Sequence, residues 1–167
     1  MYDELTKSDI AKMEKEIEHR KLVLRKELIE AVKEARAQGD LSENFEYYAA
    51  KKEKNQNESR IRYLERMIKT AKIISDDSKD DEVGINNIVK VWLPEDEEEE
   101  TYRIITTIRG NSLEGRISID SPLGKALLGH KVGEQVIVKV NDDYSYPVII
   151  REIDKSVDDS GDTIRKF

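Results

Sequence analysis

The hydrophobic pattern changes character along the chain, and its first part has the periodicity of long helices. Residues 8–38 contain no Gly or Pro and are rich in Lys, Glu, Ala and Leu, which favour helices. Their apolar positions follow steps of three and four residues with one irregularity, where Arg20 occupies the seam and a four-residue step follows Leu24. The second series keeps alternating steps of three and four throughout: Tyr47, Ala50, Lys54, Asn57, Ile61, Leu64, Ile68 and Ala71.

A short connection joins these two predicted helices. Neither can bury its narrow apolar stripe alone, so we expect an antiparallel coiled coil. About 30 residues per helix, at about 1.5 Å each, give an arm on the order of 45 Å long. Lys54 and Asn57 place a polar layer in the seam, expected roughly opposite Lys26 and Ile29, with long side chains that reach water.

In the second half of the chain, apolar residues recur at every second position, which predicts β-strands. The segments are IVKVWL (88–93), TYRIITTI (101–108), GRISID (115–120), QVIVKV (135–140) and YPVIIREI (146–153). One short helix interrupts them, with Ser121 as N-cap, Pro122 in its first position and Gly129 as its stop. The expected fold class is therefore α+β: a helical hairpin followed by a small antiparallel sheet wrapped around one helix.

Composition divides the chain further. We assign residues 1–75 to the arm, 76–82 to a linker within the Asp- and Ser-rich SDDSKDD, 83–155 to the sheet domain and 156–167 to a loose tail. The acidic run PEDEEEE (94–100) lies between two strands and is interpreted as a solvated hairpin loop.

Charge and residue usage limit the possible functions. The chain has no Cys and two His, so a disulfide framework and a Cys-based zinc site are excluded, and any metal is expected on oxygen ligands. Residues 1–75 carry 17 Lys and Arg against 15 Asp and Glu, whereas residues 76–167 carry 12 against 21. This balance argues against free nucleic acid as the main ligand. There is no long apolar run and no leader-like start, so we expect a soluble cytoplasmic protein without a membrane partner.

The turn between the helices, GDLSEN (39–44), contains two acids three positions apart. Asp40 could cap the second helix while Glu43 reaches back to it, and Ser42 is an alternative cap. The same two carboxylates could instead converge on one divalent cation at the tip of the arm. They would form half of a magnesium site, which a partner would have to complete.

Three cations accompany this turn. Arg36, Lys51 and Lys52 are placed to meet phosphates beside such an ion. Ordinary helix-surface solubility explains them equally well, so both interpretations stay open.

The residues around this turn resemble a known family. EARAQGDLSENFEYYAAK (34–51) and ESRIRYLERMI (58–68) resemble the N-terminal arm of the bacterial Gre transcript cleavage factors, and ISIDSPLGKALLGHKVGEQV (117–136) resembles their C-terminal domain. The resemblance implies an antiparallel coiled-coil arm and a C-terminal domain similar to FKBP-type prolyl isomerases. TTIRGNSLEGRIS (106–118) departs from the family pattern.

The resemblance also implies a partner and a role. Family members bind bacterial RNA polymerase at its secondary channel, with the C-terminal domain on the rim and the arm inserted. The implied role is that of an accessory factor, not an enzyme: it stimulates Mg²⁺-dependent cleavage of backtracked nascent RNA, and we expect it to be a monomer. The residues carried over are Asp40 and Glu43 on the magnesium, Arg36, Ser42, Lys51 and Lys52 on the RNA 3′ end or polymerase near the tip, and Asp120, Ser121 and Pro122 in docking.

Two other functions remain open from the sequence. A Gre-like regulator could occupy the channel without promoting cleavage. An autonomous prolyl isomerase is suggested by the implied fold alone, which does not fix function. The second half of the chain has few aromatic residues for a proline pocket: Trp92, Tyr102, Tyr144, Tyr146 and Phe167.

Overall fold

A computed structural model describes residues 3–39, 44–109 and 115–166. The chain divides into two compact units. One contains Asp3 and the helices between Ser8 and Lys72, and the other contains residues 4–7 and the described residues from Ile73 onward. Among the described residues, no helix is long and apolar enough to cross a membrane.

The first unit contains the two predicted long helices. Helix α1 (Lys7–His19) continues through a π-helical turn (Arg20–Leu24) into α2 (Arg25–Ala37), and the junction residues keep right-handed helical backbone angles. Helix α3 (Phe45–Thr70) has 26 residues and is about 39 Å long at 1.5 Å per residue. The short strands β1 (Glu4–Leu5) and β2 (Lys72–Ile73) pair with each other.

The π turn accounts for the irregular step in the first helical pattern. A π turn holds one residue more than an α-helical turn. The last residue of the turn and Arg25 are therefore both half-buried. When one residue within 21–23 is left out of the count, the inward positions from Met13 to Ala35 follow regular steps of three and four. The turn is thus a one-residue insertion in a heptad repeat.

The polar layer of the coiled coil differs from the prediction. Asn57 lies opposite Arg20, not opposite Lys26 and Ile29: its Oδ1 accepts from Arg20 Nη1 at 2.9 Å, and its Nδ2 donates to the Arg20 carbonyl at 3.2 Å. Asn57 is only 3% exposed and does not reach water. A simple residue count across the hairpin misses this register, because Arg20 lies six positions before Lys26.

The carboxylate of Glu16, next to this layer, joins two arginine side chains. Glu16 Oε2 accepts from Arg20 Nε and from Arg60 Nε, each at 2.8 Å. Partial burial alone would raise the pKa of Glu16, but the hydrogen bonds from Arg60 and Arg20 outweigh it and lower that pKa. The network links the start of the arm to α3.

The second unit is a five-stranded sheet with one helix. Its elements are β3 (Ile88–Leu93), β4 (Glu98–Ile105), β5 (Arg116–Ser118), α4 (Pro122–Leu127), β6 (Gln135–Lys139) and β7 (Ser145–Asp154). The strand order is β5-β4-β3-β7-β6. The pair β4 and β5 is parallel, so the expectation of a wholly antiparallel sheet is wrong for that one pair.

One face of this sheet forms the core with α4. The buried apolar side chains are Val83, Ile85, Val89, Val91, Ile104, Ile119, Leu127, Val136, Val138, Val148 and Ile150. Gly124 in α4 approaches the sheet so closely that a Cβ there would lie 2.0 Å from the Ser118 carbonyl oxygen. Only glycine fits at that position.

The acidic run 94–100 is not wholly a loop. Residues 94–97 form the turn, but Glu98, Glu99 and Glu100 belong to β4 and pair with β3. Solvent exposure at this edge permits charged residues in a strand, although their intrinsic β-propensity is low.

The expected loose tail is also corrected. Asp162 accepts from Arg103 at 2.7 and 2.9 Å and from Arg109 at 3.1 Å, and it lies 3.4 Å from Arg116. Ile164 is buried and bridges to Arg109. Burial raises the pKa of Asp162, but the hydrogen bonds and charges of the arginines outweigh burial and lower that pKa.

Deletion of Leu22, an exposed residue of the π turn, should restore a regular heptad repeat. We expect a thermal midpoint equal to or above that of wild type, measured by circular dichroism at 222 nm. The matched control is deletion of Glu30, an exposed residue in regular α-helix, which should lower the midpoint because it rotates the following apolar positions away from α3. Equal losses in both variants would contradict this account of the turn.

Asp162→Asn should destabilise the sheet unit by about 3 kcal/mol, because Arg103 loses its carboxylate partner and Arg109 keeps its ion pair with Asp159 but loses the one with Asp162. Urea unfolding followed by Trp92 fluorescence reports this unit, since Trp92 is the only Trp in the chain. Asp142→Asn, whose side chain is 98% exposed, is the control and should change stability by less than about 0.5 kcal/mol.

Wild type and Asp162→Asn should differ in how their stability depends on pH. Because the folded-state pKa of Asp162 lies below its ordinary value of 3.8, its stabilisation is complete above that value and is lost as the pH falls through the folded pKa. Wild type should therefore lose more stability than Asp162→Asn between pH 5 and pH 3. Parallel curves would show that the carboxylate is not ion-paired in solution.

Candidate functional site

The start of α3 is capped by Asn44. Its side chain accepts from the Tyr47 backbone N–H at 3.0 Å, and its Nδ2 donates to the Ala35 carbonyl at the end of α2 at 2.5 Å. One asparagine thus satisfies an orphan amide of α3 and an orphan carbonyl of α2. The prediction that Asp40 or Ser42 supplies this cap is replaced by Asn44.

Three residues predicted for the site cannot be placed. Asp40, Ser42 and Glu43 lie outside the described residues. The end of α2 and the start of α3 are described.

Arg36 is held by an aromatic ring of the opposite helix. Its Nη2 donates to the Tyr47 hydroxyl at 3.2 Å, and its guanidinium carbon lies 5.4 Å from the centre of the Tyr47 ring. The hydrogen bond from Arg36 lowers the pKa of Tyr47 despite burial, and the charges of Lys51 and Lys54 act in the same direction. Arg36 and Lys51, predicted together as cations near the tip, share one positive surface around Tyr47.

Lys52 lies on a different face of α3 from Tyr47 and Lys51. It follows Phe45 and Tyr48 at helical spacing, so these three residues share one side of α3. Phe45 is 84% exposed and Tyr48 is 53% exposed. The prediction missed both aromatic residues, although a signal was available: neither occupies a heptad position of the second series, which runs through Tyr47 and Ala50.

The donor set at the turn fits a hard divalent cation only in part. Carboxylate oxygens such as those of Asp40 and Glu43 are ligands that Mg²⁺ accepts. Of the described charged side chains near the turn, Arg36 and Lys51 are cations and cannot add ligands, and Glu46 is an exposed acid in the first turn of α3. Within residues 3–39, 44–109 and 115–166, no group of three or more His, Cys, Asp or Glu is placed to hold a metal. The chain therefore offers two oxygen donors and positive surroundings that suit phosphate.

The residues predicted for docking lie in the sheet unit, between β5 and α4. Ser121 caps α4, because its Oγ accepts from the Gly124 N–H at 3.0 Å, and Pro122 is the first helical residue. These local predictions are confirmed. Asp120 is exposed, and its backbone N–H donates to Ser118 Oγ at 3.0 Å. Its carboxylate is accessible to a partner.

Comparisons with known proteins agree with this arrangement. The family model of the N-terminal domain of transcription elongation factors matches residues 4–73, and the C-terminal GreA/GreB model matches residues 77–155. Transcription elongation factor GreA of Bacillus subtilis (strain 168) is 49% identical over 129 residues, which cover 77% of this chain and 82% of that protein. The protein of the same description from Macrococcus caseolyticus (strain JCSC5402) is 43% identical over 149 residues, which cover 89% and 94%.

Among solved structures, GreA factor homolog 1 (Gfh1) of Thermus thermophilus is 26% identical and covers 92% of this chain and 99% of its own. Its TM-score of 0.43 is too low to carry an argument. The two family models together match most of the chain, and both relatives exceed 40% identity. The chain belongs to the GreA/GreB family of transcription elongation factors.

Proposed function

We propose that this protein binds bacterial RNA polymerase through the secondary channel and stimulates Mg²⁺-dependent endonucleolytic cleavage of backtracked nascent RNA. It acts as an accessory factor: polymerase holds the RNA and most of the metal ligands, and this chain adds two carboxylates. The proposal places its activity in the cytoplasm, as a monomer, with the nascent RNA 3′ end as a further contact inside the complex.

The cap at Asn44 is the observation that carries this proposal. Acids at a helix start are ordinarily explained as caps, favoured by the positive end of the helix. Here Asn44 bonds both helix ends. Asn44 thus supplies the side-chain cap of α3, and we assign the two carboxylates of the turn sequence, Asp40 and Glu43, to the metal.

The charge distribution around the turn supports the same function. Arg36 and Lys51 share a positive surface beside the turn, and Lys52 adds a positive charge on another face of α3, so an RNA phosphate is favoured near this end of the arm. The hydrogen bond from Arg36 to Tyr47 restricts the guanidinium, so less side-chain freedom is lost when it meets a phosphate. The positive residues attract the RNA, while Asp40 and Glu43 are the two carboxylates of the turn sequence.

Each residue then has a defined role. Asp40 and Glu43 hold the poorly bound second Mg²⁺ of the polymerase site, and Ser42 orients water near it or contacts polymerase. When bound, that ion supplies activation of water and charge stabilisation in phosphodiester hydrolysis. Asp120, Ser121 and Pro122 attach the sheet unit to polymerase, so that loss of docking and loss of cleavage are separable.

Neutralising the tip tests the proposal. Asp40→Asn with Glu43→Gln should reduce the release of short 3′ RNA fragments from backtracked elongation complexes on the order of 100-fold or more, because the added metal ligands are lost. Polymerase affinity, measured by competition with labelled wild-type protein, should stay within about twofold, since each replacement keeps its shape.

The control is Glu46→Gln, an exposed acid in the first turn of α3, which should cleave like wild type. If the double variant cleaves normally, the assigned tip chemistry is wrong. If wild type binds polymerase and releases no fragments, the protein is instead a regulator that acts by occupying the channel.

The docking segment gives a second test. Asp120→Asn should weaken polymerase binding without changing the thermal midpoint, because the carboxylate is exposed and does not cap α4. Ser121→Ala should weaken binding and also cost about 1 kcal/mol of stability, since it removes the cap. Unchanged affinity in Asp120→Asn would exclude this carboxylate from docking.

A further inference from the structure

The sheet unit contains a cavity of about 270 Å³ lined by three tyrosines and three acids. Its lining is Leu93, Glu95, Asp96, Glu100, Tyr102, Tyr144, Tyr146 and Pro147. No Lys or Arg is among these residues. The sequence pattern suggested too few aromatics for a pocket, but the β7 start and the β3–β4 hairpin bring three of them together.

Strand register places the cavity on the core face of the sheet. Glu100 pairs with Val91, and Tyr102 pairs with Val89. Both valines are fully buried, and directly opposed side chains lie on the same face. Glu100 is thus a half-buried carboxylate at the open end of an apolar core. It forms no ion pair with any residue in the described part of the chain.

The cavity is separate from the proposed docking segment. It lies at the hairpin end of β3 and β4. Strand β5 runs parallel to β4 and ends with Ser118 beside Ile105, at the other end of β4. Asp120 follows that opposite end, so the two surfaces do not coincide.

The opposite face of the same sheet shows which group fits such a lining. There the guanidinium carbon of Arg151 lies 4.4 Å from the centre of the Trp92 ring, and its Nη1 lies 3.5 Å from Glu99. An arginine is held between an aromatic face and a carboxylate. The cavity repeats this combination with Glu100 and the tyrosines but contains no cation of its own.

The electrostatics of the tyrosines agree with an unneutralised acidic site. Tyr144 and Tyr146 have ring centres 5.8 Å apart with planes tilted by 36°. Burial raises the pKa of Tyr146. The neighbouring Tyr144 and the charges of Glu100 and Asp96 raise that pKa further. A second cavity on the sheet differs, because its lining includes Lys90 and Arg151 as well as Glu152 and Asp154. Its charges are balanced within the chain.

We infer that the cavity lined by Glu100, Tyr102 and Tyr146 binds an arginine side chain of a protein partner. A guanidinium stacks on a tyrosine face and donates two parallel hydrogen bonds to a carboxylate, whereas an ammonium offers only a point charge. RNA is disfavoured by the three acids. The inference does not depend on cleavage activity, and its test contains no polymerase.

The test titrates the full-length ¹⁵N-labelled protein with the peptide acetyl-Gly-Arg-Gly-amide. Saturable shifts are expected at the backbone amides of Leu93, Glu100 and Tyr146, with a dissociation constant on the order of 1 mM for a single side chain. The citrulline peptide, which has the same shape without the charge, should give no saturable shifts. The lysine peptide should bind several times more weakly.

Two variants separate the site from general charge effects. Glu100→Gln should weaken binding of the arginine peptide at least fivefold. Glu152→Gln removes a carboxylate that is 72% exposed and lies outside the cavity, and it should leave binding unchanged. Equal binding of the citrulline peptide, equal binding by Glu100→Gln, or the absence of saturable shifts at these amides would overturn the inference.

Discussion

The hydrogen bonds between Arg20 and Asn57 set the register of the arm on which the tip depends. Both groups lie inside the coiled coil, where an unpaired polar side chain costs about 1–3 kcal/mol. A slip of the helices would leave Asn57 buried without its partner, so apolar packing alone does not determine the pairing. Glu16 reinforces this choice because it joins Arg20 to Arg60.

That register determines which residues face each other at the tip. It brings Arg36 of α2 against Tyr47 of α3, and it brings the end of α2 within reach of Asn44. Structure and function are divided between neighbouring residues: Asn44 closes the hairpin, the cations around Tyr47 favour phosphate, and Asp40 and Glu43 are left to the proposed chemistry.

The sequence predicts the elements that have local signals. Helix periodicity, strand alternation and the Ser121–Pro122 start of α4 are all encoded in neighbouring residues. The π turn leaves a visible irregularity after Arg20 in the sequence. Which residue of α3 faces Arg20, however, is set by the pairing of the two helices in three dimensions. The attachment of Asp162 has no local signal, because its arginine partners come from residues 46 or more positions away. The tyrosine cavity is hidden for the same reason: Tyr102 and Tyr146 meet only through strand pairing.

The proposed role of the tip is to add ligands to a metal that polymerase holds weakly. It is tested most directly by the Mg²⁺ dependence of transcript cleavage in backtracked complexes, measured with no factor, with wild type and with Asp40→Asn. Wild type should lower the half-saturating Mg²⁺ concentration severalfold, and Asp40→Asn should return that concentration toward the factor-free value. A wild-type protein that accelerates cleavage without any change in the half-saturating Mg²⁺ concentration would contradict the claim.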